Sequence, residues 1–170
     1  FGVMFFEDPV LAFSNIRNML KPGRKFVFAA WADMTDNEWV QAPLRALLEQ
    51  LDSVPAHHLP LPQAHEPGPF SLANPERTRT VLSSAGWQEI KIHPWMGHLS
   101  FDHMQTLDDV VDFMSSVGGA ARLVESGLIE AAEARSILAE FLSPIWEEGT
   151  ATTWRAKAWI VSALTPGIPA

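Results

Sequence analysis

Residues 1–31, FGVMFFEDPVLAFSNIRNMLKPGRKFVFAAW, hold two apolar runs on either side of a stretch with helical spacing. The first run, Phe1 to Phe6, carries no charge. It is too short for a helix and suits a strand covered on both faces. Asp8 followed by Pro9 marks a helix start, because an aspartate oxygen can accept the orphan N–H groups of the first turn and proline has no N–H to lose there. Phe13, Ile16 and Leu20 then recur at helical spacing, with Ser14, Asn15, Arg17 and Asn18 between them. The helix is expected to close at Lys21-Pro22-Gly23-Arg24, where cations meet the negative helix end, proline bars continuation and glycine can take positive φ. Phe26 to Ala30 form the second apolar run, ending at Trp31. The pattern predicts a strand, a helix and a parallel strand. Open sheets of this kind hold ligands outside the carboxyl ends of their strands, here near Phe6 and Trp31.

Beyond Trp31 the chain turns polar through Asp33, Thr35, Asp36 and Asn37. Val40, Leu44, Leu47, Leu48 and Leu51 then give one apolar helical face from about Glu38 to Asp52, with Pro43 as a kink or a break. Ser53 to Pro75 carry six prolines together with His57, His58 and His65. A loop of that length inside a compact domain is more often functional than idle. Asn74-Pro75 restarts a helix that runs to Ser84 and ends at Gly86. Gln88, Ile90 and Ile92 alternate with Glu89, Lys91 and His93, the mark of an edge strand with one wet face. A short amphipathic helix is expected over Asp108 to Val117, broken by Gly118-Gly119. A longer helix is expected from Ile129 to Glu148, divided at Pro144, and a strand from Thr152 to Leu164.

The length of 170 residues fits one domain, and 47% hydrophobic with 19% charged residues gives it an ordinary globular composition. A net charge of −8 with only 12 Lys plus Arg argues against a nucleic-acid partner held through phosphates. With no cysteine, disulfides, thiolate metal sites and cysteine nucleophiles are excluded together. No apolar run reaches about twenty residues, so no membrane span is expected; no signal peptide is recognisable either, and a cytoplasmic location is expected. The chain opens without methionine inside an apolar run, and on that ground it is expected to be a fragment of a longer protein.

As a set, these segments resemble the carboxyl-terminal part of class I S-adenosylmethionine-dependent methyltransferases, in the branch related to the ubiquinone and menaquinone methyltransferases. The opening 31 residues are similar to the strand four to strand five region, where that family commonly has Leu-Lys-Pro-Gly-Gly; here Arg24 replaces the second glycine in Leu20-Lys21-Pro22-Gly23-Arg24. Glu66 to Ala73 and Ala85-Gly86-Trp87 resemble the segments around the next helix, and Trp159 to Ala163 its last strand. The resemblance implies an α/β fold: a partial Rossmann-like sheet holding strands four to seven, the last antiparallel and inserted between the fifth and sixth, with flanking helices. Residues 1–170 would be the carboxyl-terminal part of one domain, with a lid-like helix and Pro-rich loop at 32–75 and a helical insertion at 104–149. Such a sheet requires the opening run to lie inside it, paired with the strand leading to Trp31; an opening run on the outside, or unpaired, would count against the whole assignment.

The activity implied is methyl transfer from S-adenosyl-L-methionine to a small organic acceptor. The family's glycine-rich turn and ribose-holding acid would lie in the half that is missing, and no glycine-rich motif occurs in this chain. The chain alone is therefore expected to be inactive. Methyl transfer is an in-line displacement that needs mainly alignment, with an aromatic face favourable near the cationic sulfur and in some cases a general base. Phe1, Gly2, Met4 and Phe6 match the stretch that lines the cofactor pocket, although Met4 and Phe6 read better as plain strand core. Trp31, Trp39, Phe70 and Trp95 are the candidates for the acceptor side. His98, beside Trp95 and Gly97, is the candidate base. His93, His98 and His103 recur every five residues, which suits neither a helix face nor a strand face, and no H-E-x-x-H spacing occurs, so no metal site is expected. Neither a serine-nucleophile elbow nor a pair of carboxylates suggests hydrolysis. The alternative is a noncatalytic dimerisation or partner-binding module built on the same half-fold, whose exposed edge would leave it aggregation-prone or a homodimer.

Overall fold

The computed structural model describes residues 1–51, 59, 63, 66–101, 104, 106–146 and 153–167. Residues 53–58, 60–62, 64 and 65 of the Pro-rich loop, with His57, His58 and His65 among them, lie outside the described residues, as do His103, Glu147 and Glu148. The described helices are α1 (Pro9–Asn18), α2 (Glu38–Leu48), α3 (Pro75–Ser84), α4 (Leu107–Ser115), α5 (Gly118–Glu125) and α6 (Ala131–Leu142). The strands are β1 (Lys25–Trp31), β2 (Gln88–Ser100) and β3 (Thr153–Leu164), in the sheet order β1-β3-β2. None of the helices among the described residues is long and apolar enough to cross a membrane.

The chain divides into two units: Phe1–Asp36 with Gln63–Met96 and Lys157–Ala170, and Asn37–Pro62 with Gly97–Ala156. In the first, β1 pairs antiparallel with β3 from Lys25↔Leu164 to Trp31↔Ala158. The final strand thus lies between the other two and runs against β1, as the resemblance implies. The opening run does not behave as expected. Gly2–Phe5 is a 3-10 turn, Phe1 and Phe5 are exposed, and no strand there pairs with β1. No parallel strand–helix–strand unit is therefore present among the described residues, and the requirement that this run lie inside the sheet is not met. The physical reason lies at the edge of β1. Its one ladder is taken by β3, and on the other side the Trp31 N–H meets the Met4 sulfur at 3.3 Å, which is a side-chain contact and no step in a ladder.

The local signals around that run hold. The Asp8 Oδ1 accepts the Leu11 N–H at 2.9 Å, and Pro9 opens α1. α1 ends at Asn18, a turn before the expected stop, and Gly23 takes φ +70 in the following turn. Thr165 closes that turn. Its hydroxyl donates to the Lys21 carbonyl and accepts the Arg24 N–H, both at 2.8 Å, and its own N–H reaches the Arg24 carbonyl at 2.9 Å.

Phe13, fully buried on α1, centres the first core, with ring contacts to Phe6, Phe26 and Phe28 at 5.3–6.3 Å. α3 covers the same core through Val81 and Leu82. Asn74 caps its start by accepting from the Glu76 and Arg77 N–H groups. Its end is a Schellman motif, with Gly86 N–H to Ser83 O, Trp87 N–H to Leu82 O and Gly86 at φ +80. Trp87 then enters the core, stacks on Phe26 at 5.4 Å and donates its indole N–H to the Phe13 carbonyl at 3.0 Å. β2 is an edge strand, which is why it tolerates Pro94.

The second unit buries the apolar faces of α2, α4, α5 and α6 together with Trp154 and Ala156 of β3. Pro43 lies inside α2, buried, and the helix continues past it. A capping box starts α4: the Thr106 hydroxyl accepts the Asp109 N–H, and the Asp109 carboxylate accepts the Thr106 N–H. α5 is a helix that the sequence pattern does not announce, since the Gly118-Gly119 pair reads as a break while Gly118, at φ +58, is its first residue. The long helix expected over Ile129 to Glu148 is shorter, Ala131–Leu142, with a 3-10 turn at Ser143–Ile145 that includes Pro144. Arg135 of α6 pairs with Asp112 of α4.

Candidate functional site

The first unit gathers several predicted residues at the end of β1. Phe1 stacks on Trp31 with ring centroids 4.4 Å apart and an interplanar angle of 27°. Beneath them the Met4 side chain is 2% exposed, so its thioether is core as well as a weak acceptor for the Trp31 N–H. The Met4 carbonyl points elsewhere and is doubly satisfied. The Ser71 hydroxyl donates to it at 2.5 Å and the Gly68 N–H at 3.0 Å. The segment Glu66 to Ala73 is thereby fastened to the opening turn, and Arg77 secures it in turn by donating from Nε to the Ser71 carbonyl at 3.1 Å. Phe70 is half-buried within the segment.

The chain leaving β1 is held from the other side by β3. The Ala32 N–H donates to the Lys157 carbonyl, and the Lys157 Nζ reaches the Asp36 carboxylate at 2.7 Å while lying 5.3 Å from the centre of the Trp159 ring. Trp159 donates its indole N–H to the Ala73 carbonyl at 2.6 Å. Asp33 accepts from the Thr35 N–H and hydroxyl, turning the chain towards Asp36. The strand end therefore carries an aromatic pair, an ion pair resting on an indole, and a loop pinned by carbonyl contacts. Such a surface suits a planar or cationic group placed against a ring.

The other predicted residues are placed differently. Gly2 is exposed in the 3-10 turn, and Phe6 packs edge-on against Phe13 in the core. Trp39 belongs to the second unit, where it is 7% exposed, donates to the Asn37 side chain at 3.3 Å and stacks near Phe113. Trp95 is exposed on the edge strand β2, and His98 is exposed further along it, in the second unit. Phe1, Met4 and Trp31 are thus brought together. Among the described residues no three His, Asp or Glu side chains converge to hold a metal ion. Ser71, Lys157, Asp36 and Trp159 are the contributors that sequence analysis missed. Ser71 and Trp159 left a trace as members of the segments Glu66 to Ala73 and Trp159 to Ala163, and Lys157 as a charge next to the apolar centre of a strand.

S-adenosylmethionine, the cofactor implied by the resemblance, is not fitted by these residues alone. They supply aromatic surface, but the Met4 carbonyl is already occupied, and no glycine-rich turn offers N–H groups.

No protein-family model matches the chain, and no curated protein matches it. Among solved structures it is similar to a provisionally assigned methyltransferase from Bacillus halodurans C-125, at 15% identity and a TM-score of 0.44, over 96% of this chain and 66% of that one. It is also similar to phosphoethanolamine N-methyltransferase 2 of Haemonchus contortus, solved with phosphomonomethylethanolamine and S-adenosylhomocysteine, at 11% identity and a TM-score of 0.35 over 96% of this chain. The chain spans 66% of the length of the first and 32% of the second.

Proposed function

We propose that this chain is the acceptor-side part of an S-adenosylmethionine-dependent methyltransferase domain acting on a small organic molecule, and that it transfers no methyl group alone. The observation that carries this is the sheet order β1-β3-β2, with the last strand inserted and antiparallel to β1. The opening run, which this reading required as a paired strand, counts against it; the support is this strand order together with the sequence resemblance of the later segments. In this proposal residues 32–75 are a lid-like helix and Pro-rich loop, and residues 104–149 a helical insertion before the last strand. Phe1 and Gly2 face the cofactor side, while Met4 and Phe6 hold the opening turn in place. Trp31 and Phe70 border the acceptor, with Trp39, Trp95 and His98 as further acceptor-side residues and His98 as the base.

Calorimetric titration of S-adenosylmethionine and S-adenosylhomocysteine into this chain, and into the full-length product of its gene, tests the proposal. Expected is one-to-one binding by the full-length product and binding at least about tenfold weaker, or none, by the chain, a difference of about 1.4 kcal/mol or more. A full-length product that binds neither compound, yet self-associates through these residues, would replace the enzyme with the noncatalytic module.

A further inference from the structure

We draw no further inference here: the strongest candidate, the outer face of β1 and β3 around Val27, Ala29 and Ile160, is apolar and partly exposed beside the β1 edge of the sheet, but nothing in the structure shows what covers it.

Discussion

Phe1–Phe6 and Phe26–Trp31, FGVMFF and FVFAAW, are both short, uncharged, aromatic-rich apolar runs, yet one forms a 3-10 turn and the other a strand. Composition does not separate them. The second run has a partner for its backbone along its whole length, six register pairs with β3, whereas the first meets the sheet through side chains, the Met4 sulfur on the Trp31 N–H and the Phe1 ring on that of Trp31. An apolar run becomes a strand when a neighbouring strand takes its N–H and C=O groups in register; the Met4 carbonyl is taken instead by the Ser71 hydroxyl and the Gly68 N–H of a loop. The side chains follow. Phe28 is 8% exposed and Phe5 is 56% exposed.

Truncating one phenylalanine from each run is the strongest way to break this contrast. Phe28→Ala should cost about 3–5 kcal/mol, the usual range for a buried phenylalanine. Phe5→Ala should stay within about 0.5 kcal/mol. Urea denaturation of both variants checks it, and comparable losses would mean that the opening run is buried after all. Next in size is the turn before β1. Thr165→Val keeps the shape of the side chain but leaves the Lys21 carbonyl and Arg24 N–H without their hydroxyl, for an expected loss of about 1–3 kcal/mol. Thr165→Ser, which restores the hydroxyl, should recover most of it. If valine and serine behave alike, the turn is not what starts β1.

A smaller effect is expected at Gly86→Ala. The residue sits at φ +80, and an added Cβ would fall 1.9 Å from a terminal nitrogen of Arg17. That nitrogen ends a flexible side chain and can move, so the remaining cost is the left-handed backbone, about 1–2 kcal/mol. A double variant with Arg17→Ala separates the two contributions. Should Gly86→Ala become neutral in that background, the clash and not the backbone was the cause.

What was legible in the sequence was local. Asp8 with Pro9, Asn74 with Pro75, and Ala85-Gly86-Trp87 mark helix ends through chemistry spanning a few residues, and each lies where it was expected. Gly118-Gly119 misled because a glycine pair reads as a break, whereas α4 has already ended at Ser115 and Gly118, at positive φ, opens α5. The alternation at Gln88 to His93 identified an edge strand but not its continuation to Ser100, since Pro94 and Gly97 interrupt the pattern without ending the strand. The candidate site was less legible for the same reason as the opening run. Ser71 reaches the Met4 carbonyl across 67 residues, and no spacing rule links them. Trp31 and Trp39, neighbours in sequence, belong to different units.

The principle that partners decide the outcome can be sharpened on single side chains. Trp87 and Trp154 are equally buried, at 3% and 4% exposure. The Trp87 indole N–H donates to the Phe13 carbonyl, but the Trp154 indole N–H has no hydrogen-bond partner among the described residues. An unpaired buried donor costs about 1–3 kcal/mol in lost hydration. Replacing Trp154 by phenylalanine removes that penalty while giving up part of the ring's packing, including some of its contact with Phe141. The two terms oppose each other, so Trp154→Phe should lie within about 1 kcal/mol of the parent, of either sign. Trp87→Phe loses packing and a made bond together, with nothing to offset them, and should be worse than Trp154→Phe by about 1 kcal/mol or more. Denaturant midpoints for the pair decide it. Equal losses would mean that the Trp154 N–H is paired in solution, with a buried water as the simplest partner.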